Sequence, residues 1–334
     1  MGCAASAGPL SLAAMGSFTV GGRQVRVSGQ PTYVVALSEN LPEYIVDPNG
    51  TYCVEHAYVQ YYIPAEERHL PVILVHGGGM TGSCWESTPD GRDGWAAHFL
   101  RDGHPVYVID TSERGRAGWW PLPGMAYEQR PLLRSAEEAW DVFRVGPSGG
   151  YDALQPYPGC LFPLGHFDQA CCQIVPRWTT TTDPAVEALE ALIAKTGRCA
   201  VIAHSHGGGI AARAVARDPE LVAALVLLEP NGLPVPLGAE EVGATPRLIV
   251  AGDFIQQSPL YAKLSPSWPE YLERVTSAGT RADYFDLPAM GHPGNSHMLM
   301  MDRNSDFVAD LIQQWMDHMA TGDGTGFLRN RRAS

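Results

Sequence analysis

No stretch of this chain reaches the roughly 18 consecutive apolar residues that a membrane-spanning helix needs, so no bilayer span is expected. Positive charge is scarce. Lys and Arg number 23 against 36 Asp and Glu, for a formal charge of −13. That balance disfavours nucleic acid, whose phosphates attract cations. There is no CxxC pair among Cys3, Cys53, Cys84, Cys160, Cys171, Cys172 and Cys199, so a zinc module is not expected. Seven is an odd count, which leaves at least one thiol without an internal partner. Cys171 and Cys172 read as packed thiols, because a vicinal disulfide demands unusual geometry. The chain has no internal repeat.

The first sixteen residues lack the basic start and long apolar stretch of an intact secretory signal. MGCAAS matches the myristoylation pattern through Gly2 and Ser6, with Cys3 as a second lipid site or a lipoprotein remnant. The plainer expectation is a disordered leader over 1–16. The compartment stays open between a soluble cytoplasmic protein and one exported with its signal removed. Oligomeric state is open too, a homodimer included.

What is present suits a large core: 45% apolar and 18% charged residues in 334. From Ser17 to Pro64 the pattern is of strands and turns. Phe18–Val20 leads into Gly21-Gly22 and then Gln24–Val27, and Tyr52–Ile63 alternates as a half-buried antiparallel strand. Continuous apolar runs follow at Pro71–Val75, Pro105–Ile109, Cys199–Ala203, Leu221–Leu228 and Arg247–Val250, as parallel strands buried on both faces require. Helical patterns at Ser135–Phe143, Asp183–Lys195 and Gly207–Arg217 separate them. This alternation predicts an α/β fold with a mostly parallel, doubly wound sheet. The stretch 147–182 is too long for a structureless loop in a compact domain and is expected to be an inserted cap. The core is then 17–146 and 183–320, with a disordered tail over 321–334.

Ala203-His204-Ser205-His206-Gly207 joins a buried strand to a helix and approximates the G-x-S-x-G nucleophile elbow. A nucleophile on so sharp a turn needs small residues two before and two after it, which Ala203 and Gly207 provide. Ser205 is the predicted nucleophile. His204 and His206 point away from it and read as packing or polar-shell residues. His76-Gly77-Gly78-Gly79 follows the strand Val72–Val75 and predicts an oxyanion loop, with Gly78 (Gly79 as the alternative) and His206 as backbone N–H donors. Trp85 and Trp178 are candidate substrate-binding residues, or else core.

The base is expected after the last strand and before the last helix. His297 in Gly294-Asn295-Ser296-His297 suits that spacing better than His292. The usual position for the acid, after the preceding strand, carries Ile255 in Gly252-Asp253-Phe254-Ile255, and an apolar side chain cannot orient an imidazolium. Glu229 stands at the carboxyl end of the strand before that, on the edge where active groups of open α/β sheets gather. Glu229 is therefore the predicted acid, with Asp253 the alternative.

The segments GSFTVGG, ILVHGGGMTGSCWESTPDGRDGW, YVIDTSERGR, AHSHGGG, LLEPNG and GNSHMLMMDRN resemble α/β-hydrolases, and more narrowly the bacterial esterase 713 group. The likeness runs from Gly16 to about Ala320 and is weakest over 147–182. It implies an α/β-hydrolase fold with an inserted cap and carboxylesterase activity by a Ser205–His297–Glu229 triad, without metal or organic cofactor. GNSHMLMMDRN carries the base onto His297. Members of that group can carry adjacent cysteines where this chain has Gly78 and Gly79. The expected partner is a small-molecule ester. A lactonase, thioesterase, amidase or acyltransferase would use the same triad, and a non-catalytic ligand-binding protein on the scaffold is the alternative of another class.

Overall fold

The structure, a computed structural model, describes residues 8–122, 130–234 and 242–321. The lipidation pattern and the tail beyond 321 fall outside them, as does Cys3.

Ten strands occur among the described residues: β1 (Leu12–Val27), β2 (Tyr33–Ala36), β3 (Glu43–Val46), β4 (Gly50–Pro64), β5 (Val72–Val75), β6 (Val106–Asp110), β7 (Cys199–His204), β8 (Val222–Leu228), β9 (Arg247–Ala251) and β10 (Ala282–Asp286). Eight form one sheet in the order β1-β4-β6-β5-β7-β8-β9-β10. Strands β1 and β4 pair antiparallel, as do β4 and β6. From β6 to β10 every pairing is parallel. The fold is thus a mostly parallel α/β sheet. The all-apolar runs lie at its centre: every residue of β5 and β7 is buried.

Helices cover both faces: α1 (Ser83–Glu86), α2 (Trp95–Arg101), α3 (Ala136–Val142), α4 (Phe167–Cys171), α5 (Thr182–Thr196), α6 (His206–Arg217), α7 (Pro259–Leu264), α8 (Ser267–Ser277) and α9 (Ser305–Thr321). Alternate residues of each strand feed two cores. Leu74, Ile202 and Val226 join Trp95, Trp140 and Trp315 on one face. Ile73, Val201 and Leu225 join α5, α6 and α8 on the other.

Two expectations need correction. The leader boundary at Gly16 is too late, since β1 begins at Leu12 and pairs with β4 from there. Gly21-Gly22 is not a turn between two strands but lies inside β1, at φ 65° and 81°. The glycines read as a break from sequence because glycine usually ends a strand. Here Gly21 lets α5 approach: a Cβ on it would lie 2.8 Å from the Ala188 Cα. The segment 147–182 does not enclose a core of its own. Phe162 and Phe167 are buried in the main core beside Trp140 and Met298. Cys171 and Cys172 are free thiols. Among the described residues no helix is long and apolar enough to cross a membrane.

Gly21→Ala combines left-handed backbone with a backbone clash. It is expected to destabilise the fold by about 1–3 kcal/mol, read as a lower urea midpoint at unchanged m-value.

Candidate active site

Ser205 ends β7 and opens α6 at φ 51°, ψ −120°, a conformation that non-glycine residues rarely adopt. Hydrogen bonds impose it. The Ser205 N–H donates to the Leu228 carbonyl at 2.9 Å, and the Ser205 carbonyl accepts from Gly208 and Asn231 N–H, both at 2.9 Å. The glycines that follow admit the neighbouring loops. A Cβ on Gly207 would strike the His76 carbonyl, and one on Gly208 would lie 2.7 Å from Pro230 Cβ. On the facing loop, a Cβ on Gly77 would lie 3.2 Å from Ser205 Cβ, so the glycine loop after β5 abuts the serine.

Glu229 follows β8 and is fully buried. Its backbone is also left-handed, at φ 45°, anchored by its N–H to the Val250 carbonyl at 3.0 Å. The carboxylate is saturated. Its Oε2 accepts from His297 Nδ1 and from Arg144 Nη1, each at 2.6 Å, and its Oε1 accepts from Gly252 N–H at 2.7 Å and from Arg144 Nη2. Burial alone would raise the Glu229 pKa; Arg144 and His297 outweigh it and hold the group down to about 2.

His297 is buried on the loop between β10 and α9. Its N–H donates to the Phe143 carbonyl at 2.8 Å, and its carbonyl contacts His204 Nε2 at 3.0 Å. Asp302 braces the same loop, accepting from Ser296 N–H and Oγ at 2.8 Å and from Asn295 Nδ2 at 3.0 Å. Because Nδ1 faces a carboxylate, it carries the ring proton, and Nε2 is left as the basic nitrogen. Burial lowers the His297 pKa, against the opposing pull of Glu229. The ring lies 4.4 Å from that of His204 and 4.7 Å from that of Tyr261.

Of the predicted residues, Glu229 and His297 are directly bonded, and Ser205 is tied to the β8 end from which Glu229 projects. The rival candidates lie elsewhere. Asp253 accepts from Phe254 and Gly294 N–H at 2.7 and 2.8 Å and so holds two loops. His292 packs on Phe307 at 4.4 Å. Trp85 is 0% exposed and packed 5.6 Å from Trp95, so it belongs to the core and not to a substrate surface. Trp178 is also buried, stacked on Trp119 at 5.0 Å and grouped with Val27 and Val54 of the antiparallel strands. Both were candidates only as aromatics near the expected mouth, and aromatic content says nothing of direction.

Sequence reasoning missed Arg144 and Tyr261. Arg144 is fully buried at φ 56°, just past α3. Its Nε donates to the Asp253 carbonyl at 2.8 Å, and its guanidinium lies 4.4 Å from the centre of the Tyr261 ring. Tyr261, on α7, is buried beside His297; burial raises its phenol well above the ordinary range. A buried glutamate demands a buried cation, but nothing in the sequence says which of the chain's arginines supplies it. Among the described residues no cluster of three or more His, Cys, Asp or Glu could hold a metal.

Arg144→Met strips Glu229 of its paired cation while keeping much of the side-chain volume. It is expected to cost about 3–5 kcal/mol of unfolding free energy, measured by urea denaturation.

Comparison with known proteins identifies the family. Residues 71–254 match the family model described as alpha/beta hydrolase fold. A solved structure described as a novel bacterial esterase superposes with a TM-score of 0.81 at 34% identity, over 93% of this chain and 98% of that one. A curated relative named "Probable secreted lipase phiG", from a fungal species (strain ATCC 74256), is 24% identical over 322 residues, 78% of this chain and 85% of that protein.

Proposed function

Because this chain belongs to the α/β-hydrolase family and is of esterase or lipase type, we propose that it is a serine carboxylesterase acting through an acyl-enzyme. The observation that carries the reading is the buried 2.6 Å hydrogen bond from His297 Nδ1 to Glu229, beside the strained Ser205 turn.

In this reading His297 Nε2 takes the Ser205 proton as Oγ attacks the ester carbonyl. Glu229 holds the tautomer and stabilises the imidazolium. The oxyanion is received by the backbone N–H groups of Gly78 and His206. His206 is the first residue of α6, where N–H groups have no partner within the helix and the helix dipole favours negative charge. His297 then protonates the leaving alcohol, and water repeats the cycle on the acyl-enzyme. The insertion 147–182 acts as a cap. Its Val175 N–H donates to the Gly79 carbonyl at 2.8 Å, which seats it on the oxyanion loop.

Ser205→Ala should abolish hydrolysis of p-nitrophenyl butyrate and labelling by a fluorophosphonate. Glu229→Gln should lower kcat by about 10³-fold or more, and Asp253→Asn by less than tenfold. The reverse order would move the acid to Asp253.

The base works when neutral, so kcat/KM falls as pH drops through the His297 pKa. Burial places that value below 6.5. The acid limb of a pH–rate profile is therefore expected below pH 6.5, with a plateau through neutrality. A limb centred above 7 would contradict this.

A further inference from the structure

Although the chain is strongly acidic overall, arginines gather on the oxyanion side of the site. Arg177 comes from the insertion, and its backbone is anchored there: its N–H and carbonyl pair with Leu132 at 3.2 and 2.7 Å. Its guanidinium rests on the glycine loop. A Cβ on Gly78 would lie 2.9 Å from Arg177 Cζ and 3.3 Å from its Cδ, so the missing side chain of Gly78 is the space the guanidinium occupies. Gly77, the preceding residue, abuts Ser205 in the same way. With 3.8 Å between successive Cα atoms, the guanidinium lies within about 13 Å of the serine, the reach of a short acyl or alcohol chain.

The neighbouring cations each have a carboxylate beside them. Arg134 pairs with Glu138 at 3.1 Å, and buried Arg114 lies 3.7 Å from Glu113. Among the described residues no carboxylate pairs with Arg177, and its buried Nε has no hydrogen-bond partner. His206 does not compete for an anion. Burial, with Arg177 and Arg114 nearby, lowers its pKa to about 3 and keeps it neutral. A partly buried guanidinium with an idle donor costs stability unless something fills it, and its fork geometry matches a carboxylate.

We propose that Arg177 receives an ionised carboxylate on the substrate, so that the enzyme prefers esters bearing a second, free acid group. This rests on the esterase reading above and narrows its substrate class. The guanidinium acts on substrate binding at a distance from the bond cleaved, so its removal should appear in KM more than in kcat.

The test compares two matched pairs: p-nitrophenyl hydrogen glutarate with p-nitrophenyl pentanoate, and 4-acetoxybenzoate with its methyl ester. They place the anion on the acyl and alcohol side respectively. The wild type should favour the anionic member of at least one pair by about tenfold or more in kcat/KM. Arg177→Met should erase that ratio through KM, and Arg177→Lys should keep part of it. Wild-type hydrolysis of the neutral esters with no anionic preference in either pair would overturn the inference and leave the esterase reading standing. So would equal losses on both members of a pair in Arg177→Met. If no ester is cleaved and Ser205 takes no fluorophosphonate, the esterase reading falls, and this inference falls with it.

Discussion

The active region is organised around one carboxylate that has been taken wholly out of water. Glu229 is fully buried, and desolvation of a carboxylate costs several kcal/mol even after relaxation. Four donors offset that cost: both terminal nitrogens of Arg144, the Gly252 N–H and His297 Nδ1. They come from three separate parts of the chain, so the carboxylate is a junction at which the β8 end, the β9 end, the turn after α3 and the histidine loop must all arrive together. Its sign also matters. A carboxylate held at about 2 is ionised throughout the range in which a histidine base works, so it orients the ring without competing for the proton.

That junction explains features that otherwise look unrelated. Arg144 and Glu229 both adopt left-handed backbone, the first to turn its guanidinium inward and the second to leave the sheet at once. Asp253 receives Arg144 through its carbonyl, while its carboxylate fastens the Gly294 N–H. The loop at which an acid would ordinarily be sought thus braces the Arg144–Glu229 pair instead. Tyr261 closes the remaining side, lying against both Arg144 and His297.

The sheet was legible because its central strands are buried on both faces and therefore continuous in apolarity; β5 begins and ends where the pattern predicts. Glu229 was singled out by elimination, since Ile255 cannot do an acid's work and the β8 end is on the right edge, and the fold brings it to His297. Arg144 was not. It is 85 residues from its partner, and its charge in sequence looks like that of any surface arginine. Trp85 misled for the complementary reason: an indole is equally suited to a pocket wall and a core, and only packing against Trp95 decides. Pairings set by tertiary convergence leave no periodic trace, whereas strand burial and elbow sterics do.

Glycine shows how far local sterics reach into chemistry. Gly207 lets the start of α6 meet the His76 backbone, and Gly77 leaves room for the His204 and Ser205 side chains. Gly78 stands between them and answers to a different constraint, because what would strike its side chain is the guanidinium of an insertion residue and not backbone. Conformational need does not account for it either, since the left-handed angle on that loop belongs to Gly79. On the esterase reading proposed above, a glycine kept open for a cation beside Ser205 serves substrate recognition as much as folding, and it ties residues 147–182 to the glycine loop after β5.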